Sequence, residues 1–95
     1  MAAYMVAIAH AVRDPERLGR YAEAVAPLVA RHGGAYRALD FDPTVLEGAP
    51  PIAVVIVEFP DAERLRGFYE SEDYAPLKAE RQQCGDFTML QVNGV

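Results

Sequence analysis

The sequence predicts an α+β fold: four strands in one antiparallel sheet, with two helical regions on one of its faces. Three observations point there. Four segments, residues 4–12, 35–41, 52–59 and 87–93, read as strands. Helical patterns opening at Asp14-Pro15 and at Asp61 separate the first strand from the second and the third from the fourth. The first and third strands are apolar on both faces, as strands in the middle of a covered sheet are.

Each element has its own justification. Tyr4, Val6, Ile8, His10 and Val12 fall on one side of the first strand, and Met5, Ala7, Ala9 and Ala11 on the other. Asp14 is placed to cap a helix, with Pro15 at its first position. Leu18, Tyr21, Ala22, Val25, Leu28 and Val29 follow as one apolar stripe. Pro27 within that stripe removes a backbone donor, so an irregularity is expected there. Gly33-Gly34 stops the helix through a left-handed cap. Ala35 to Phe41 forms the second strand, Asp42-Pro43 breaks it, and Thr44 to Glu47 is expected to continue as a short strand. "IAVVIVEF", residues 52–59, is the strongest strand signal in the chain. Asp61 caps the next helix, whose stripe is Leu65, Phe68 and Tyr69. Ser71 is expected to cap a further short segment carrying Tyr74 and Leu77, and Gly85 to end it. Phe87 to Asn93 alternates as the last strand. The order is that of the ferredoxin-like split β-α-β pattern, in a single domain spanning residues 1–95.

Composition bounds the function. Hydrophobic residues make up 52% of the 95, enough for a core. A chain this short buries a modest fraction of its surface, and association would help it. The net charge is −5, with 9 basic residues scattered along the chain, which argues against nucleic acid as a partner. The single cysteine, Cys84, allows no intrachain disulfide and fits a reducing, cytoplasmic location. The apolar start of the chain is too short to span a bilayer and lacks a basic leader, so no membrane association or signal peptide is expected.

The predicted sheet has an uncovered side. Tyr4, Val6, Ile8, Ile52, Val54 and Ile56 would face water in a monomer. Several exposed aliphatic side chains cost several kcal/mol at roughly 25 cal/mol per Å², and a patch of this kind marks an interface. The expected partner is a second copy, the two sheets packing face to face.

"AAYMVAIAHAVRDPERLGRYAEAV", "HGG" at 32–34, "VLEG" at 45–48, "VVIVEFPDAERLRGFYES" and "SEDYAPLKAER" together resemble the bacterial domain of unknown function 1330 family. The resemblance runs along almost the whole chain, in order. It implies a dimeric α/β barrel, in which ferredoxin-like protomers join their sheets across a two-fold axis. That superfamily includes cofactor-free monooxygenases, isomerases, cyclases and decarboxylases, and haem-degrading members. In the family pattern glycines precede "VLEG"; here the stretch reads "ALDFDPTVLEG".

Several residues are candidates for chemistry. His32, at the end of the first helix, reads either as a histidine bonding terminal carbonyls or as a general acid or base at a pocket mouth. The resemblance supports the second reading, because the family also carries a histidine before two glycines. The first and third strands are expected to be parallel neighbours, which sets His10 beside Glu58 near their C-terminal ends on the partner-facing side. They would then form either a proton relay or a satisfied polar pair at the dimer interface. Tyr36, Tyr69 and Tyr74 could line a pocket, offering rings and hydroxyls; at helical spacing, tyrosines such as Tyr69 are also ordinary core residues. Arg37, Lys78 and Arg81 could bind an acidic substrate or be solvated. Two histidines 22 positions apart give no metal-ligand spacing, and no phosphate loop is present, so neither metal nor cofactor is expected. Cys84 reads as inert. The first functional expectation is a small cofactor-independent enzyme moving a proton on a hydrophobic carbonyl or aromatic, polyketide-like compound. His32 or His10 and Glu58 would move the proton, and Tyr36, Arg37, Tyr69 and Tyr74 would bind the substrate. The alternative is a dimeric binding or accessory module without catalysis.

Overall fold

A computed structural model describes all 95 residues. Strand β1 (Ala3–Val12) leads into helix α1 (Pro15–Arg31) and strand β2 (Ala35–Asp40). Strand β3 (Ala53–Phe59) is followed by helices α2 (Ala62–Tyr69) and α3 (Ala75–Cys84) and by strand β4 (Gly85–Asn93). The four strands form one sheet in the order β2-β3-β1-β4, every pair antiparallel.

The caps form where the sequence places them. The Asp14 carboxylate accepts from Arg17 N at 3.1 Å and that of Asp61 from Arg64 N at 2.7 Å. Each satisfies a backbone donor that the first helical turn leaves unpaired. Pro27 is held inside a continuous α1. Gly33 adopts φ 83°, a left-handed conformation that a side chain would strain. The second glycine whose smallness is required is Gly85. A Cβ there would stand 2.1 Å from the Ala11 carbonyl oxygen, so α3 can pass straight into β4 only without a side chain.

Two expectations change. Thr44 to Glu47 forms no strand; residues 41–52 make an irregular connection between β2 and β3. Proline at 43, 50 and 51 cannot donate to a ladder, which keeps that stretch out of the sheet. Ser71 does not cap α3 directly. Its hydroxyl donates to Phe68 O and accepts from Tyr74 N, closing the turn that separates α2 from α3.

The helices cover one face only. Ala3, Met5, Val57 and Phe59 from the sheet pack against Val25, Leu28, Val29, Leu65, Phe68 and Tyr74. The Phe68 ring lies 4.5 Å from that of Tyr74 and 5.7 Å from that of Phe59, centroid to centroid. On the opposite face, register places Tyr4, Val6 and Ile8 beside Glu58, Ile56 and Val54, and beside Val92, Leu90 and Thr88 on the other flank. This helix-free side is apolar along its middle, as the alternation predicts. Ile52, Leu90 and Val92 remain exposed there.

Candidate functional site

The sheet floor beneath α1 is built from small residues. Ala9 and Ala53 face each other across β1 and β3, and Ala7 opposes Val55. Alanine at these positions leaves α1 without side chains to rest on, and a cavity of about 160 Å³ remains between helix and sheet. Leu18, Tyr21 and Val25 form its wall on α1, and Phe87 and Met89 its wall on β4. Tyr36 and Leu39 on β2, and Phe41 just beyond it, form its outer rim. Of 17 lining residues 16 are hydrophobic, and the one that is not is Arg81.

A bulge in β2 shapes that rim. The register shifts between Tyr36 and Ala38, so Tyr36 opposes Val57 and Leu39 opposes Val55. Without the extra residue, side chains three apart would point to opposite faces. With it, both Tyr36 and Leu39 turn toward the cavity.

Arg81 is buried, with 4% of its surface exposed. Its Nε donates to the Tyr74 hydroxyl and its Nη2 to the Tyr69 hydroxyl, both at 3.4 Å, and the guanidinium lies 5.3 Å from the Phe87 ring centroid. The ion pairs of the protein join Arg13 to Asp86, Arg17 to Glu80, Arg31 to Asp73, Arg37 to Glu58 and Arg66 to Glu70; none includes Arg81. The Tyr74 hydroxyl also shares a proton with that of Tyr21 at 2.8 Å. Burial opposes the charge on Arg81, yet the Tyr74 bond and the surrounding hydroxyl oxygens hold it above the ordinary guanidinium range. Burial first, and Tyr74 second, raise both Tyr21 and Tyr36 above the usual phenol value. These two hydroxyls therefore stay protonated at neutral pH, as donors rather than bases.

The other predicted residues separate. His10 and Glu58 do not pair. Because β1 and β3 are antiparallel, Glu58 opposes Tyr4, six residues along the strand from His10. At about 3.3 Å per residue that is roughly 20 Å. His10 Nε2 instead bonds Thr88 Oγ1 at 2.8 Å, and Glu58 accepts from Arg37 Nε at 3.2 Å. Both contacts are on the helix-free side, so Arg37 too is away from the cavity. His32 caps α1 and packs edge-on against Phe68, ring centroids 5.9 Å apart, without reaching the cavity lining. Tyr36 lines the cavity, Tyr74 sits fully buried behind Arg81, and Tyr69 holds Arg81 from one side while Lys78 lies over its ring at 4.6 Å. No three His, Cys, Asp or Glu side chains cluster as metal ligands would.

Sequence reasoning undervalued Arg81 and assigned Tyr21 to the core alone. A signal for Arg81 was present. Tyr74, Leu77, Arg81 and Cys84 recur at helical spacing, so an arginine occupies an inward position of a short apolar stripe.

Fold and site together define a ferredoxin-like α+β protein with an apolar cavity beneath its first helix. The chain belongs to the family described as "Domain of unknown function (DUF1330)", which it matches over residues 2–95. Among curated proteins none matches. Solved structures share the fold at low identity. A protein of unknown function from Rhodopseudomonas palustris is 15% identical, with a TM-score of 0.80 over 99% of this chain and 82% of that one. SnoaB, a cofactor-independent oxygenase from Streptomyces nogalater, is 12% identical, with a TM-score of 0.74 over 99% and 93% of the two chains. A dimeric ferredoxin-like protein of unknown function from a Jannaschia species is 8% identical, with a TM-score of 0.79 over 99% and 100%. No helix is long and apolar enough to cross a membrane.

Proposed function

We propose that this protein is a small cofactor-independent enzyme. Its substrate is a hydrophobic carbonyl or aromatic, polyketide-like compound, and its chemistry is proton transfer of the isomerase, cyclase or monooxygenase type. The observation that carries this reading is an apolar cavity lined by tyrosines whose hydroxyls remain protonated. In such a cavity a hydroxyl donated to a carbonyl oxygen gains strength from the low local dielectric. It stabilises the negative charge that develops on that oxygen as a neighbouring C–H proton passes to a water molecule at the open rim, the cavity lining itself carrying no base. Tyr21 and Tyr36 are the donors. SnoaB shows that this fold supports cofactor-independent oxygen chemistry in another protein.

The assembly that goes with this reading is a homodimer joined through the helix-free sheet face. The apolar residues of that face support it, as does the dimeric description of the Jannaschia structure. A second reading, a binding module without catalysis, is favoured by one feature: no imidazole or carboxylate lines the cavity to accept a proton.

A thermal-shift screen of aryl ketones and enolisable diketones, followed by product analysis, separates the two. Stabilisation with conversion supports the enzyme, and Tyr21→Phe and Tyr36→Phe then lower turnover while His32→Ala leaves it unchanged. Stabilisation without conversion supports the binding module. Absence of any stabilising compound refutes both.

A further inference from the structure

We propose that the compound held in this cavity is an amphipathic organic acid whose ionised oxygen pairs with Arg81. The inference rests on the small-molecule reading of the cavity and adds the chemical class of its ligand, a carboxylate or the enolate of an acidic dicarbonyl.

Arg81 is the ground for it. A guanidinium buried this far is ordinarily paired, because an isolated buried charge costs several kcal/mol. Here the charge meets tyrosine hydroxyls and a ring face, and no carboxylate. Hydroxyls orient a cation without neutralising it. The negative charge that would complete the arrangement is not supplied by the protein, since its ion pairs all lie elsewhere.

Position adds a second argument. Arg81 lines the apolar cavity and also a separate, more polar surface cleft with Tyr69, Gln82 and Asp86. It stands at the boundary between a hydrophobic chamber and a wetter opening. A molecule with a hydrocarbon or aromatic body and one acidic group fits that boundary, body in the chamber and head at the guanidinium.

Tyr21 supplies the second contact. The Tyr74 hydroxyl oxygen accepts a hydrogen bond from Arg81 Nε and lies 2.8 Å from the Tyr21 hydroxyl. With the ligand bound, Tyr74 donates to Tyr21, and the Tyr21 proton is left for the ligand's ionised oxygen. Tyr74 and Tyr69 are positioning residues, which fix the plane of the guanidinium.

The test is equilibrium titration with two matched probes, 2-naphthoate and methyl 2-naphthoate. The protein contains no tryptophan, so naphthyl fluorescence reports binding directly. The wild-type protein is expected to bind the acid at least about tenfold more tightly than the ester, a charge-assisted contact of about 1.4 kcal/mol or more. Arg81→Gln is expected to erase that preference while leaving ester affinity within about twofold. Arg81→Lys keeps the charge but loses the fork, and retains part of the preference. Equal binding of acid and ester by the wild-type protein overturns the inference and leaves the cavity reading standing. A preference that survives in Arg81→Gln overturns it as well. Should neither probe bind, the cavity reading itself fails and the inference with it. The wild-type ratio decides the matter even if Arg81→Gln does not fold.

Discussion

Filling the cavity from its floor should stabilise the protein and weaken ligand binding together. Ala53 is the position to change: it lies on β3 opposite Ala9, is nearly buried and lines the cavity. Valine adds two carbons, suits a strand, and projects toward α1. An empty cavity costs about 24 cal/mol per Å³, so 160 Å³ corresponds to a ceiling of about 4 kcal/mol. The mouth beside Phe41 and Leu39 is open to water, which lowers that figure. Two buried carbons return at most about 1.6 kcal/mol at 0.8 kcal/mol each. Allowing for imperfect fit, Ala53→Val should gain about 1 kcal/mol. For a domain of this size that raises Tm by about 4–8 °C. Urea unfolding at fixed protein concentration should show a higher midpoint with an unchanged slope. The same variant should bind 2-naphthoate at least about tenfold more weakly. A lower Tm would refute the reasoning, since it would mean that α1 already rests on the alanines. A higher Tm with undiminished binding would place the ligand somewhere else.

Three further outcomes follow from other parts of the molecule. Ile56→Asp places a carboxylate in the middle of the helix-free face, opposite Val6; if the proposed homodimer joins there, the variant should sediment as a monomer and the wild-type protein as a dimer. A wild-type protein that sediments as a monomer at micromolar concentration would contradict the interface. Gly85→Ala should cost at least about 2 kcal/mol by urea unfolding, because the methyl meets the Ala11 backbone and neither strand can yield. The stability of the wild-type protein should fall above about pH 10. Tyr21 ionises near pH 10 in the unfolded chain, whereas burial and Tyr74 raise its folded value. The unfolded state then binds fewer protons than the folded one, so stability is complete below pH 10 and declines as pH rises beyond it. Tyr21→Phe should flatten that decline in urea midpoints measured between pH 8 and 11.

The fold was legible because its signals are local or strictly periodic. Asp14 and Asp61 cap helices through bonds to the third residue on, which spacing alone reveals. Alternation along 4–9 and 53–59 sorts side chains correctly between a helix-covered and a helix-free face, and a bulge between Ala9 and Ala11 ends it in the first strand. What periodicity does not carry is strand direction. The expected contact of His10 with Glu58 required parallel neighbours, and the antiparallel register sets them at opposite ends of the sheet. Nor does it carry bulges. Tyr36 and Leu39 share a face only because one extra residue is inserted between them, and no residue type in "YRAL" announces it. The surroundings of His32 were hidden for a related reason. Its place at the end of α1 was readable, but the Phe68 ring that occupies its side comes from α2, 36 residues later in the chain. Arg81 is the reverse case. Its inward position could be read from the spacing of Tyr74, Leu77 and Cys84, whereas its lack of a carboxylate partner is a fact of tertiary structure.

The two faces of the sheet are connected through energetics. A domain of this size has a net stability of about 5–15 kcal/mol. Alanines in place of larger residues beneath α1 forgo up to about 4 kcal/mol of that, and the Arg81 guanidinium carries a desolvation cost that tyrosine hydroxyls rather than a carboxylate offset. Both sacrifices fall at the same place, one leaving room and the other leaving charge. Neither serves packing, and the core around Phe59, Phe68 and Tyr74 shows that this chain can pack closely where it does not hold space open. The apolar residues of the opposite face offer the compensation. Burying Val6, Ile8, Val54 and Ile56 against a second copy recovers several kcal/mol at roughly 25 cal/mol per Å². Association through that face would thus permit a cavity that a 95-residue monomer could hardly sustain. Dimer-disrupting Ile56→Asp should therefore be rescued in stability by Ala53→Val, although the two residues lie on opposite faces of β3 and never touch.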